Sequence, residues 1–477
     1  MQQISLQELM HATGGRLKGI HSGHTQFHRI SIDSREVRPG DVFWAISGQN
    51  HDGHDFADAA IQQGACLCVA SAYRADSLAG PVLIVDETLA ALGRFASWYR
   101  NQMDALVIGV TGSVGKTTTR ELIYAALSEH YSGIRSRQNF NNRIGLPLSL
   151  LDLQPSHEFA VIEMGASQPG DIRTLCELAS PEIGVVTAIG PAHLQSFGSI
   201  AAIIQTKGEL LEQLPTSGFA ILPGDEATTR QMADLAPCPV IFVGEGAENH
   251  VRATRIEEYS KGLRFRCDGV DFDVLIHGRH VLSSVLCGIA IGLEIGVPVQ
   301  SLVAGLAKFT PAPGRCSVEK IGPWTVINDT YNASPLSVAA GCRLLQEMHV
   351  PGNGHRLLVL GDMRELGETA KIEHEHVGQL AAQLQFDRLL VCGEHANDVV
   401  RGAMRFGMKA HQIASAPDID ALQTVLDCWL EPGDLLMVKG SRAMRMERIL
   451  DWLRILALAF EPLSITIPIT CRNRICA

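Results

Sequence analysis

Residues 109–123 read GVTGSVGKTTTRELI. They follow an apolar run, Ala105 to Val110, and lead into a segment with Leu122, Ile123, Ala126 and Leu127 at helical spacing. The order is strand, glycine loop, helix, the context in which a glycine loop holds phosphate. Gly112 and Gly115 let backbone N–H groups of Ser113 and Val114 approach an anion, Lys116 reaches the outer phosphates, and the hydroxyl of Thr117, followed by Thr118, suits Mg²⁺. The stretch therefore predicts a nucleoside triphosphate site. Counting back five places from Gly115 reaches Val110, and the earlier glycine is Gly109, which predicts a phosphate loop one residue longer than usual.

Around this loop the chain runs to 477 residues, more than one hydrophobic core usually serves. Three segments of different character are visible. Residues 1–88 hold short apolar runs (DVFWAI, ACLCVA, PVLIV) and form a small α/β unit. Residues 89–311 alternate strand-like runs (ALVIGV, FAVIEMG, IGVVTAIG, GFAILPG, PVIFVG) with helical patterns, which predicts a mainly parallel sheet with ligands at the carboxyl ends of its strands. Within that segment RATRIEEYSKGLRFRCDGVDFDVLIHG alternates polar and apolar residues, as an antiparallel excursion does. After TPAPGR, residues 312–477 carry WTVIND, RLLVLGD, RLLVCGE and DLLMVKG, a second, Rossmann-like doubly wound unit. WLRILALAF reads as a last core helix, and EPLSITIPITCRNRICA as an accessory strand or a loose tail.

A net charge of −11 argues against a nucleic-acid surface. The amino terminus lacks a secretory pattern, and no run reaches the roughly 18 apolar residues of a membrane helix, so a cytoplasmic protein is expected. None of the 12 cysteines falls in a C-x-x-C pair, which makes them small buried hydrophobes rather than zinc ligands. His374 and His376 begin an amphipathic helix and are expected on its surface rather than at a metal.

Polar residues at apolar strand ends mark the chemistry. Glu163 in VIEMGAS and His193 in IGPAHLQSFGS lie at such ends, and a carboxylate beside a phosphate loop suits a hard cation. NFNNRIGLP offers Asn139, Asn141, Asn142 and Arg143, whose amides suit phosphate or carboxylate oxygens and also ordinary turns. The last segment offers Arg315, Asp329, Asn332 and Lys439 for a nucleotide or a substrate.

Taken in order, TGSVGKTT, NFNNRIGLP, VIEMGAS, AHLQSFGS and TKGEL resemble the Mur ligase family, which builds the peptide of bacterial peptidoglycan. SIDSREVRPGDVFWAISGQNHDGHDF resembles its uridine-nucleotide domain. PGRCSVE, NDTYNASP, LGDMRELGE and VKGSRAMRME resemble the branch that adds D-alanyl-D-alanine, and the Asp-Asn-Pro-Arg signature of the preceding ligase is absent. The resemblance implies that UDP-N-acetylmuramoyl-tripeptide is joined to D-alanyl-D-alanine through an acyl phosphate, with ATP and two Mg²⁺ ions, by a monomeric bacterial enzyme. It assigns Lys116 to the outer phosphates, Thr117 and Glu163 to one Mg²⁺, and His193 to a second. It implies a carbamylated Lys207 as a metal ligand, Arg315 and Asp329 at ATP, and Ser34 and Arg35 at the uridine diphosphate. Where the family usually has Gly-Arg-His-Asn-x-x-Asn, this chain reads GRHVLSS, so Val281 and Ser284 stand in place of two asparagines, and Asn328 and Ser334 replace a commoner Asp and Asn. Two alternatives stay open: a family ligase for another amino acid, and a nucleotide-binding scaffold without turnover.

Overall fold

The computed structural model describes residues 1–19, 26–48, 50–191 and 194–460. The chain divides into two compact units, one of residues 1–311 with the short segment 365–368, the other of the remaining residues from 312.

In the first unit, the amino-terminal module is a five-stranded sheet whose strands Ile30–Ser31, Val42–Trp44, Leu67–Ser71 and Val82–Val85 run parallel, with Arg16–Lys18 antiparallel at one edge. Its core is continuous with that of the following module through the helix Thr88–Arg100. That helix alternates small and aromatic residues, so it buries a face on each side. Phe95 lies between Phe27, Trp44 and Trp98, with ring centroids 5.9 to 6.2 Å away. The Tyr99 hydroxyl donates to Leu153 O at 2.7 Å, and the Arg100 guanidinium donates to Ala179 O, Met103 O and Glu182.

The second module of this unit is a nine-stranded sheet. Leu106–Thr111 lies centrally between Phe159–Glu163 and Ile183–Val186, all parallel. The connection leaving Leu106–Thr111 runs to Gly133–Arg135 at the edge, whereas the one leaving Phe159–Glu163 crosses to the other side. The carboxyl ends of these three strands thus flank the point where the winding reverses, the place where such sheets open a crevice. The polar alternation beyond residue 250 is an antiparallel meander, Val251–Tyr259, Gly262–Cys267 and Val270–Val274.

The other unit is a six-stranded sheet, parallel except for the edge strand Ser317–Ile321. The helix Glu447–Ala457 buries Ile449, Leu450 and Leu453 against it, but of the stretch WLRILALAF only Leu453 is buried while Ile455, Leu458 and Phe460 are exposed, so the core face starts before that stretch and little of it is core. The segment EPLSITIPITCRNRICA lies outside the described residues.

Two further sequence expectations are corrected. Gly109 belongs to the strand Leu106–Thr111 rather than to an extended loop; it is small because a Cβ there would come within 3.0 Å of Leu210 Cδ1. His374 is not on a helix surface: it is buried, its Nδ1–H donating to Ala370 O at 2.6 Å while Nε2 accepts from Met363 N at 3.0 Å. His376 is the exposed member of the pair. Among the described residues no His, Cys, Asp and Glu grouping forms a metal cluster, and no helix is long and apolar enough to cross a membrane. The described cysteines are all free and, Cys428 apart, buried or half-buried.

Phe95→Ala removes the ring on which the shared core converges. It is expected to cost about 3–5 kcal/mol, read as an earlier urea midpoint for the first unit.

Candidate active site

The strand Leu106–Thr111 ends buried, and the chain then turns through Gly112 into the helix Lys116–Leu127. Two glycines are required for this turn. Gly112 has φ +146°, and a Cβ on it would stand 1.9 Å from Thr187 Oγ1; Gly115 caps the helix at φ +90°. Ser113, Val114, Gly115, Lys116, Thr117 and Thr118 are all partly exposed, whereas Thr111, Gly112, Thr119 and Arg120 are buried. The loop thus presents one open rim on a packed base, with backbone N–H groups at a helix amino terminus.

The loop is tied to the neighbouring strand end. Ser113 N donates to Ala188 O at 2.9 Å, the Ser113 hydroxyl exchanges hydrogen bonds with Gly190, and Thr187 Oγ1 donates to Val114 O at 2.6 Å. Lys116 Nζ donates to the loop carbonyls of Gly112 at 2.7 Å and Ser113 at 3.3 Å. Its cation therefore already lies along the loop it would share with phosphate.

Glu163 closes the next strand and is 2% exposed. An isolated buried carboxylate is strongly disfavoured, and this one is matched by donors. Its Oε2 accepts from Thr117 Oγ1 at 2.9 Å and from Arg120 Nη1 at 3.2 Å, while Oε1 accepts from Asn141 Nδ2 at 2.8 Å. A carboxylate and a hydroxyl in contact at the mouth of a phosphate loop are hard oxygen donors, so these residues fit a divalent cation such as Mg²⁺.

Lys207 is the surprise relative to its sequence. Lys-Gly-Glu on a helix suggests a solvated surface, yet Lys207 lies on Ile200–Glu212 only 2% exposed. Among the described residues its amine makes no hydrogen bond, and Nζ stands 5.8 Å from the centre of the Phe197 ring. Burial, reinforced by the nearby Lys116 charge, pushes its pKa down to about 7. A substantial neutral fraction at neutral pH makes this amine nucleophilic. Two residues on, Glu209 accepts from Gly170 N and Arg173 N, fastening this helix to the start of Asp171–Ala179. His193 lies outside the described residues.

The loop following Gly133–Arg135 brings the asparagines alongside. Asn141 reaches Glu163, Asn142 Oδ1 caps the helix Gly145–Leu150 through Ile144 N and Gly145 N, and Asn139 is exposed. A cavity of about 470 Å³ opens beside this loop, lined by Arg29, Ser31, Asp33 and Arg38 from the amino-terminal module and by Arg137 and Asp152 from the central one. Ser34 and Arg35 lie in the turn Ser34–Glu36 between two lining residues, Asp33 and Glu36. Arg35 is largely exposed and paired with Asp33, whose carboxyl that contact lowers to about 2.

Of the replaced family asparagines, Val281 is buried in the core, and Ser284 Oγ accepts from Thr119 Oγ1 at 2.8 Å within the phosphate helix packing. In the second unit, Asp329 pairs with Lys439, both buried, and also accepts from Cys316 N at 3.2 Å. Lys439 Nζ donates to Asn332 O at 3.0 Å, and the Arg315 guanidinium lies 3.8 Å from the centre of the Tyr331 ring. Asn328 bridges Glu319 and Thr330, and Ser334 caps the helix Pro335–Glu347, so both residues have structural partners here.

Comparison with known proteins agrees with this arrangement. The chain matches the Mur ligase family catalytic domain over residues 26–99, the Mur ligase middle domain over 110–292, and the Mur ligase glutamate ligase domain over 314–442. Proteins named UDP-N-acetylmuramoyl-tripeptide–D-alanyl-D-alanine ligase are similar to it end to end. The Escherichia coli one is 33% identical and the Bacillus subtilis one 32% identical, each over 94% of this chain and 98% of the relative. Among solved structures, MurF from Acinetobacter baumannii superposes with a TM-score of 0.87 at 28% identity, covering 95% of this chain and 99% of that one. A MurF ligase from Thermotoga maritima in complex with ADP gives 0.79 at 28% identity, covering 91% and 99%.

Two outcomes test the geometry. Gly112→Ala drives a methyl into Thr187 and is expected to weaken ADP binding by at least about tenfold while the circular dichroism spectrum is kept, as measured by calorimetric titration. Cyanate is expected to modify Lys207 ahead of surface lysines at neutral pH, the preference fading as pH falls below about 7 and protonates the amine, as read by peptide mass mapping.

Proposed function

The chain belongs to the Mur ligase family, and from that premise we propose that it joins UDP-N-acetylmuramoyl-tripeptide to D-alanyl-D-alanine, splitting ATP to ADP and phosphate, in the bacterial cytoplasm. The observation that carries the substrate choice is the end-to-end similarity to ligases of that name.

A carboxylate is a poor acyl donor because its leaving group would be oxide. In this reading the γ-phosphoryl of ATP passes first to the terminal carboxylate of the tripeptide, giving an acyl phosphate. The amine of D-alanyl-D-alanine then attacks the carbonyl, and phosphate leaves. Catalysis of this kind is mainly positioning and charge neutralisation. The loop amides of Ser113 to Thr118 cradle the phosphates, and Lys116 exchanges its loop carbonyls for the transferred group. Thr117 and Glu163 would hold Mg²⁺, with His193 and Lys207 assigned to a second ion. Bound there, Mg²⁺ would supply charge neutralisation for the phosphate oxygens.

Lys207 would serve such a role only after its neutral amine adds to CO₂, forming an N–C bond and releasing one N–H proton to solvent to leave a carbamate anion, and its burial favours the uncharged amine that this requires. The arginine-lined cavity beside Ser34 and Arg35 suits the uridine diphosphate, with Asn139 and Asn142 on the peptide side. Arg315, Asp329 and Asn332 are assigned to ATP and Lys439 to substrate.

The test is phosphate release with ATP, Mg²⁺, D-alanyl-D-alanine and UDP-tripeptides ending in meso-diaminopimelate or L-lysine, with single omissions and mass detection of product. Release that needs every component and yields a UDP-pentapeptide is expected. Nucleotide binding without product would overturn the reading in favour of a scaffold. ¹³C-bicarbonate is expected to give a carbamate carbon signal that Lys207→Arg lacks.

A further inference from the structure

The sequence reading passes over Arg120, which the structure places behind the proposed metal carboxylate. It stands three residues after Thr117 and four after Lys116 on the phosphate helix, so all three share one face. Its side chain is 3% exposed. Nη1 donates to Glu163 Oε2 at 3.2 Å and to Gln138 O at 2.6 Å; Nη2 and Nε donate to Glu121 Oε1 at 2.7 and 3.2 Å. The other oxygen of Glu121 is taken by Arg135 Nε at 2.6 Å, and Arg135 lies 4.0 Å from the centre of the Tyr124 ring. Charges alternate along Arg135, Glu121, Arg120 and Glu163, so each carboxylate has a guanidinium and the buried arginine has two carboxylates.

We infer that Arg120 is a positioning residue for the divalent-cation site: its fork fixes the orientation of the Glu163 carboxylate and locks it to the backbone of the asparagine loop at Gln138. Gln138 has φ +34°, a left-handed conformation that non-glycine residues seldom adopt, and the bond from Arg120 helps to hold it. Three residues later Asn141 grips the opposite oxygen of Glu163. The arginine thereby fastens both the carboxylate and the loop that supplies its other donor. Lysine cannot replace it, because a single ammonium does not reproduce the planar fork that serves Glu121, Glu163 and Gln138 together. Thr117 can offer a lone pair to the cation while its O–H still points at Glu163 Oε2; Arg120 and Asn141 hold Glu163 without being cation ligands themselves.

The inference rests on the assignment of Thr117 and Glu163 as cation ligands, and the experiment separates the two. ADP binding is titrated calorimetrically with and without Mg²⁺ for the unmodified protein, Arg120→Lys and Glu121→Ala; the last keeps Arg120 but removes its anchor. Circular dichroism and thermal midpoints report folding. Arg120→Lys is expected to bind ADP without Mg²⁺ within about twofold of the unmodified protein, while its half-saturating Mg²⁺ rises about tenfold; Glu121→Ala shifts in the same direction by less. Lower thermal midpoints with an unchanged Mg²⁺ response would make Arg120 a packing residue and overturn the inference, as would failure of both variants to fold. Mg²⁺-independent ADP binding by the unmodified protein would overturn the ligand assignment itself.

Discussion

One buried carboxylate and the donors gathered on it organise the head of the central sheet. Glu163 ends a buried strand and is itself 2% exposed, and two neighbouring elements supply donors to its carboxylate. The phosphate helix sends Thr117 and Arg120, and the loop after the edge strand sends Asn141. Ser136 Oγ accepts from the backbone N–H of Glu163 itself. A buried carboxylate without such partners would be strongly disfavoured; here each oxygen is met by at least one donor.

Lys207 meets the same low-dielectric surroundings with the opposite outcome. Glu163 has hydrogen-bond donors at both oxygens; the Lys207 amine makes no hydrogen bond among the described residues, and burial and the Lys116 charge outweigh the attraction of Asp171 and Glu209. Burial thus goes with a full set of hydrogen bonds at Glu163, and with a lowered pKa at Lys207, whose amine has none.

How much of this the sequence disclosed depends on how local the cause is. The phosphate loop was legible because glycine, lysine and threonine act within one turn of chain, and the parallel sheets because apolar runs alternate with helical spacing. The extent of the loop was misread: Gly109 answers to Leu210, a hundred residues away, and no spacing rule contains that contact. His374 was misread for the same reason, since its helix periodicity cannot show that the backbone of Met363 needs an acceptor. Lys207 came only through family resemblance, because its burial is a property of the packed helix Ile200–Glu212. Arg120 carried a readable signal, its spacing from Lys116 and Thr117, yet that spacing gains meaning only once Glu163 is known to lie opposite.

The same contrast bears on how the site takes up its ligands. With Arg120 against Glu163, the carboxylate is electrostatically matched before any nucleotide arrives, and opposite charges this close screen one another from a third. A bare divalent cation gains little from such a carboxylate. A cation travelling with a triphosphate brings its own compensating anion, for which the amides of the Gly112–Gly115 turn and Lys116 would be the separate receivers. On the proposed reading the work is split in this way, phosphate to the helix amino terminus and metal to an arginine-held carboxylate. That split makes the orientation of Glu163, rather than its charge alone, the quantity that the surrounding fold must fix.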